Sequence, residues 1–219
     1  MSRTVWYADT ETDGLEARRD KLRLVTLCDA DYNVYLIHNP DYLSQNLIRS
    51  IDYYNIVFHH AAFDVRHLLW WMGIQFDPYS VDCTKVMAKA TGKYEHSGLN
   101  YLVKEILGVD LAKSKEITLS NWNAKQLSAE QIEYACSDVL YLPELYASLA
   151  KTLDKQKRIG ANSDAMAMAV GTAYLEIKGF SDTLSYDGVP NEKLRKLWEK
   201  HYKGMALEKA LNKKKRKTV

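Results

Sequence analysis

TVWYADTETDGL, residues 4–15, is the stretch on which the fold turns. Thr4–Asp9 is apolar and β-leaning, and the Asp13-Gly14 pair behind it is a turn signal, so a strand is expected here. Asp9 and Glu11 lie two residues apart, and strand alternation points both carboxylates to one face. Two other acids stand in similar surroundings: Asp64 closes HHAAFD, behind Ile56-Val57-Phe58, and Asp138 closes YACSD, ahead of VLYL. Carboxylates gathered in a partly buried place repel one another and raise each other's pKa unless a positive charge neutralises them. Hard divalent cations with oxygen ligands do this, which points to a metal-dependent phosphoryl-transfer site.

Outward from that stretch, Leu22–Cys28 and Val34–His38 read as strands joined by a hairpin turn over residues 29–33. Asp41–Ile51 suits an amphipathic helix with Leu43, Leu47, Ile48 and Ile51 at helical spacing. Ile56–His59 is a short buried strand, and Ala61–Met72 a helix stopped by Gly73, with Phe63, Leu68, Leu69 and Met72 available to a core. Val81 opens a fifth strand, followed by a helix through Lys89. Leu99–Leu107 is a helix ended by Gly108. Ser128-Ala-Glu-Gln131 is a capping box, so a helix starts near Ala129, carries Tyr134 and Asp138, and is broken at Pro143. Helical signals continue over Leu149–Lys157 and Ala165–Leu175 and weaken beyond Gly179. A three-strand meander followed by helix–strand–helix–strand is an α/β layer fold with a mixed sheet.

At 219 residues and 47% hydrophobic content, one domain with an appendage fits. No stretch approaches the roughly 20 apolar residues of a membrane helix, and the N-terminus shows no signal-peptide pattern. Cys28, Cys83 and Cys136 are odd in number and lack CxxC spacing, so buried reduced thiols are expected, as in a cytoplasmic protein. The net charge of +2 conceals asymmetry: residues 1–150 hold 14 Lys/Arg against 20 Asp/Glu, a net −6, and residues 151–219 hold 16 against 8, a net +8. The second part ends in Lys213–Lys217 (KKKRK), which would attract a polyanion, or would serve as a nuclear-import signal in a eukaryotic source.

One D-x-E is weak evidence, and an acid opening a helix complements its dipole without further purpose. Tyr134 and Asp138 are one helical turn apart and hence side by side. The joint pattern is far more specific: D-x-E on the first strand, F-D opening a helix after the fourth, and YxxxD on a late helix. With VDCTKVMAKA (81–90), HSGLNYLVKEILGVDL (96–111) and SNWNAKQLSAEQIEYACSDVLYLPELY (120–146), it resembles the tyrosine branch of the DEDD-type 3′–5′ exonucleases, in particular small stand-alone bacterial ribonuclease D, over roughly residues 4–155. The proofreading exonuclease domain of family A DNA polymerases shares these motifs.

The resemblance implies a ribonuclease H-like, mixed five-stranded sheet flanked by helices over residues 1–155, with a helical, basic C-terminal extension over 156–219. It implies two divalent cations, Mg²⁺ or Mn²⁺. Asp9 would bridge both; Glu11 and Asp138 would complete the site of the cation holding the attacking water; Asp64 would hold the second, largely through water. Tyr134 would orient that water, and because phenols ionise near pH ~10 it is read as a positioner more than a base. Thr12, Leu15, His60 and Phe63 are the substrate-binding candidates. Leu15 matches an apolar wedge against the terminal base, with core packing as the equal alternative, and His60 stands where related exonucleases commonly carry asparagine. The expected substrate is the 3′ end of a single-stranded nucleic acid, RNA first and DNA second. A catalytically silent binding module on the same fold is the third reading. No protein partner is legible.

Outside these motifs, His59 is read as structural. His96 and Ser97 precede the Leu99 helix and suit a simple N-cap more than a phosphate site. Trp122 is read either as a base-stacking platform or as core.

Overall fold

The computed structural model describes residues 5–51, 55–111, 117 and 120–180. The expected C-terminal extension is therefore described only to residue 180, and the basic run at Lys213–Lys217 lies outside the described residues. Five strands form one sheet: β1 (Val5–Thr12), β2 (Leu22–Cys28), β3 (Val34–His38), β4 (Asn55–Phe58) and β5 (Val81–Cys83), in the order β3-β2-β1-β4-β5. The β1–β2 and β2–β3 pairs are antiparallel, while β1–β4 and β4–β5 are parallel. The sheet is mixed, as the meander followed by helix–strand units required.

Among the described residues the helices are α1 (Tyr42–Ile51), α2 (Ala61–Met72), α3 (Thr84–Thr91), α4 (Leu99–Leu107), α5 (Ala129–Leu140), α6 (Leu142–Lys155) and α7 (Ile159–Leu175), the last running into a π turn at Glu176–Phe180. One core joins Ala8, Val25, Leu27, Ile56 and Phe58 of the sheet to Val65, Leu68 and Met72 of α2 and to Met166 and Val170 of α7. On the other face, Tyr7, Cys28 and Val57 pack with Leu102 of α4, Val139 of α5 and Leu142, Leu145 and Leu149 of α6. Alternation along β1 explains the split: Ala8 and Thr10 face α2, while Tyr7, Asp9 and Glu11 face the α5 side. Among the described residues no helix is long and apolar enough to cross a membrane.

Two expectations need correction here. The first strand runs past Asp9 to Thr12, because Thr10, Glu11 and Thr12 still pair with Val25, Leu24 and Leu22 of β2; the register shifts between Glu11 and Thr12. Both acids are thus held within the ladder. On α1 only part of the apolar stripe is covered: Ile48 is buried, whereas Leu43 is 75% exposed and Leu47 also faces solvent. Periodicity reports which face of a helix is apolar, and packing decides how much of it is buried.

The stops behave as expected. Gly73 and Gly108 close α2 and α4 at φ 61° and 72°, a left-handed conformation that glycine adopts without steric cost. Pro143 falls in the first turn of α6, where its missing N–H costs nothing, and α5 breaks just before it at Tyr141.

Candidate active site

β1 supplies the first two acids, and α5, packed across β1 and β2, supplies the third. The start of α5 is fixed by the capping box: Ser128 Oγ accepts from the Gln131 N–H at 3.2 Å, and Gln131 Oε1 accepts from the Ser128 N–H at 3.0 Å. Gln131 Nε2 also donates to Ser120 Oγ at 2.8 Å, tying the helix to the preceding loop. With its start and its buried Ala135 and Val139 positioned, α5 brings Asp138 over β1.

Carboxylate oxygens of Asp9, Glu11 and Asp138 all lie within 4.8 Å of one another. Asp138 is only 5% exposed, so it is not the solvated helix acid that its local sequence allowed. Fully ionised, each such pair repels by roughly 3 to 4 kcal/mol at an effective dielectric near 20. Few networks of neutral hydrogen-bond donors offset several such terms, whereas one divalent cation does. The donor set is all carboxylate oxygen, the preference of Mg²⁺-class ions.

Asp64 is placed differently. It is buried in the first turn of α2, and Thr10 Oγ1 donates to its Oδ1 at 2.7 Å. Its Oδ2 is buried with no hydrogen-bond partner among the described residues. Burial is the main cause that pushes its carboxyl up to about 7, while the Thr10 hydrogen bond pulls the other way. Desolvation is thus the largest contribution to the rise. Asp64 lies outside the three-carboxylate group and reaches it through Thr10, the residue between Asp9 and Glu11.

Tyr134 is half-buried one turn before Asp138, its ring 6.1 Å from that of Trp122. Trp122 is 2% exposed and packs with Leu24 and Ala135, which makes it core and not a stacking platform. Leu15 is 63% exposed, which removes the core-packing alternative for that residue. Thr12 Oγ1 donates to the Gly14 carbonyl and shapes the turn that presents Leu15. His60 stacks on Phe63 with ring centroids 6.2 Å apart, and its imidazole is driven down to about 4 by burial, assisted by Lys85, Arg66 and Lys89. His59 shares a 2.8 Å hydrogen bond with Thr84 Oγ1, in keeping with a structural role. The helix after Ser97 is capped by Gly98 with no side-chain hydrogen bond, so the expected Ser/His cap is absent.

Two residues of this region went unread in the sequence. Thr10 holds Asp64, and Arg66 bonds both the Leu15 carbonyl and Glu176. Neither belongs to an acidic motif; the only available signal was Thr10's position between two carboxylates.

A ribonuclease H-like sheet bearing converging carboxylates on its central strand defines the class of metal-dependent nucleases. The chain belongs to the 3′–5′ exonuclease family, whose model, described as 3'-5' exonuclease, matches residues 3–154. It is 34% identical over 150 residues to DNA polymerase I of Aquifex aeolicus, covering 68% of this chain and 24% of that protein. It is 32% identical over 103 residues to ribonuclease D of Gluconacetobacter diazotrophicus, covering 47% of this chain and 25% of that one. The chain thus spans about a quarter of the length of these curated relatives. Among solved structures, Brucella melitensis NrnC bound to pGG superposes with a TM-score of 0.75 at 29% identity, over 84% of this chain and 90% of that one. NrnC has also been solved with bound Mg²⁺ (TM-score 0.73). Escherichia coli RNase D, an exoribonuclease involved in structured RNA processing, gives 0.64 at 25% identity, over 76% and 44%.

Proposed function

We propose that this chain is a ribonuclease D-like 3′–5′ exoribonuclease that removes nucleotides from RNA 3′ ends and releases 5′-monophosphates. The observation that carries this reading is the convergence of Asp9, Glu11 and Asp138 on one face of the central strand. Asp9, Glu11 and Asp138 would hold one divalent cation; Asp64, whose Oδ2 has no hydrogen-bond partner among the described residues, would help hold a second, largely through water. Bound there, such cations lower the pKa of the attacking water and neutralise the departing 3′ oxygen. Tyr134, beside Asp138 on α5, orients the water for in-line attack. Thr12, Leu15, His60 and Phe63 receive the terminal nucleotide. RNA is favoured by the ribonuclease D relatives and by NrnC, matched over most of its length and solved with pGG. DNA is the second reading, favoured by the polymerase I match over 68% of this chain.

Digestion of matched 5′-labelled RNA and DNA strands and of pGG, with Mn²⁺, Mg²⁺ or no metal, tests both. The expected outcome is a metal-dependent ladder shortening from the 3′ end, faster on RNA, and slowed roughly 10²–10³-fold or more by Asp9→Ala. A faster ladder on DNA would transfer the assignment to the second reading. Nucleic acid bound yet uncut with either metal would leave a binding module.

A further inference from the structure

Arg66 stands where three parts of the molecule meet. Its Nη2 donates to the Leu15 carbonyl at 2.9 Å, and its Nη1 lies 2.8 and 2.9 Å from the two carboxylate oxygens of Glu176. Its guanidinium sits 5.2 Å from the centre of the Phe63 ring, which stacks on His60. The Arg66–Glu176 pair is largely shielded, with side-chain exposures of 19% and 26%. Arg66 thus touches two of the four substrate-binding candidates and reaches a third through Phe63. The loop beyond β1 has further ties of its own: Asp13 N–H donates to the Lys21 carbonyl, Glu16 N–H donates to Asp20 Oδ2, the Asp13 carboxylate pairs with Arg23 of β2, and the Arg18 guanidinium sits 5.4 Å from the centre of the Trp70 ring. Its far end is anchored separately, by Trp71 Nε1 on the Asp20 carbonyl.

We infer that Arg66 is a positioning residue: braced by Glu176 at the end of α7, it fixes the Leu15 loop against Phe63 and so sets affinity for the substrate's 3′ end without taking part in bond cleavage. The inference rests on the exonuclease reading above. A planar fork with donors in fixed directions serves two acceptors at once, which an ammonium on a flexible stem does not. A role through charge alone is separable from one through geometry on that basis.

The test measures steady-state RNA digestion by Arg66→Met, Arg66→Lys and Glu176→Gln, each also in a Leu15→Ala background, with amide hydrogen exchange on the same proteins. KM is expected to rise about tenfold in both Arg66 variants, with kcat within about twofold of wild type, and to add nothing once Leu15 is already alanine. Glu176→Gln should give a smaller rise of the same kind. A wild-type KM in Arg66→Lys, or additive effects with Leu15→Ala, would overturn the inference. Should the wild-type chain cut no nucleic acid, the exonuclease reading falls, and exchange decides this one alone. Faster exchange at Leu15 and Glu16 in Arg66→Met, with Asp20 unchanged, supports the brace; unaltered exchange at Leu15 and Glu16 refutes it.

Discussion

Asp64 shows how one side chain serves two opposed demands. Buried, with one oxygen on Thr10 and the other without a hydrogen-bond partner among the described residues, its carboxyl is pushed up to about 7, whereas an unfolded aspartate releases its proton near pH ~3.9. Between those values the folded chain binds more protons than the unfolded one, so stability falls as pH rises through the window. Asp64's contribution is therefore complete below about pH 4 and lost by about pH 7 in metal-free buffer. Asp64→Asn removes that loss: in chelator-treated protein, its melting temperature should gain on wild type steadily from about pH 5 to pH 7.5. Parallel curves would mean that Asp64 is ionised throughout. His60 illustrates the converse, a ring kept neutral by burial and nearby cations, suited to stacking beside Phe63 rather than to ion pairing.

At the scale of the element, α5 is the delivery device for Asp138. Its capping box satisfies N–H groups at the helix start that would otherwise face a partly buried loop. Ser128→Ala should cost about 1 kcal/mol, or roughly 2–4 °C in melting temperature for a chain of this size. Because the same box orients the helix that carries Asp138, Ser128→Ala should also weaken Mn²⁺ binding, read by calorimetry. Unchanged metal affinity would show that contacts of Ala135 and Val139 alone orient α5. This box, the stops at Gly73 and Gly108 and the break before Pro143 are legible locally because each depends on residues within one turn. The α1 face was not, since nothing within that helix says that Leu43 and Leu47 lie outward while Ile48 lies inward.

For the molecule as a whole, the three acids are brought together only by folding: residues 9 and 11 on β1 meet residue 138 through the docking of α5 across the sheet. A cation that binds this group therefore binds the folded state and not the unfolded chain. Mn²⁺ at about ten times its dissociation constant should add about 1.4 kcal/mol, or a rise of some 3–6 °C in melting temperature. Asp138→Asn should abolish most of that rise. No rise with Mn²⁺ or Mg²⁺ would count directly against a metal site at these residues.

The amino-acid order alone determined the α/β class, the mixed sheet, most element boundaries and the acidic motifs, because alternation, helical spacing, caps and breakers act over a few residues. Packing alone decided which side chains meet: that Asp64 rests on Thr10, that Trp122 is core, that Leu15 is exposed, and that Arg66 joins Leu15 to Glu176 across 51 and 110 positions of chain. Those contacts depend on how distant surfaces exclude water from one another, a property that no local run of residues carries.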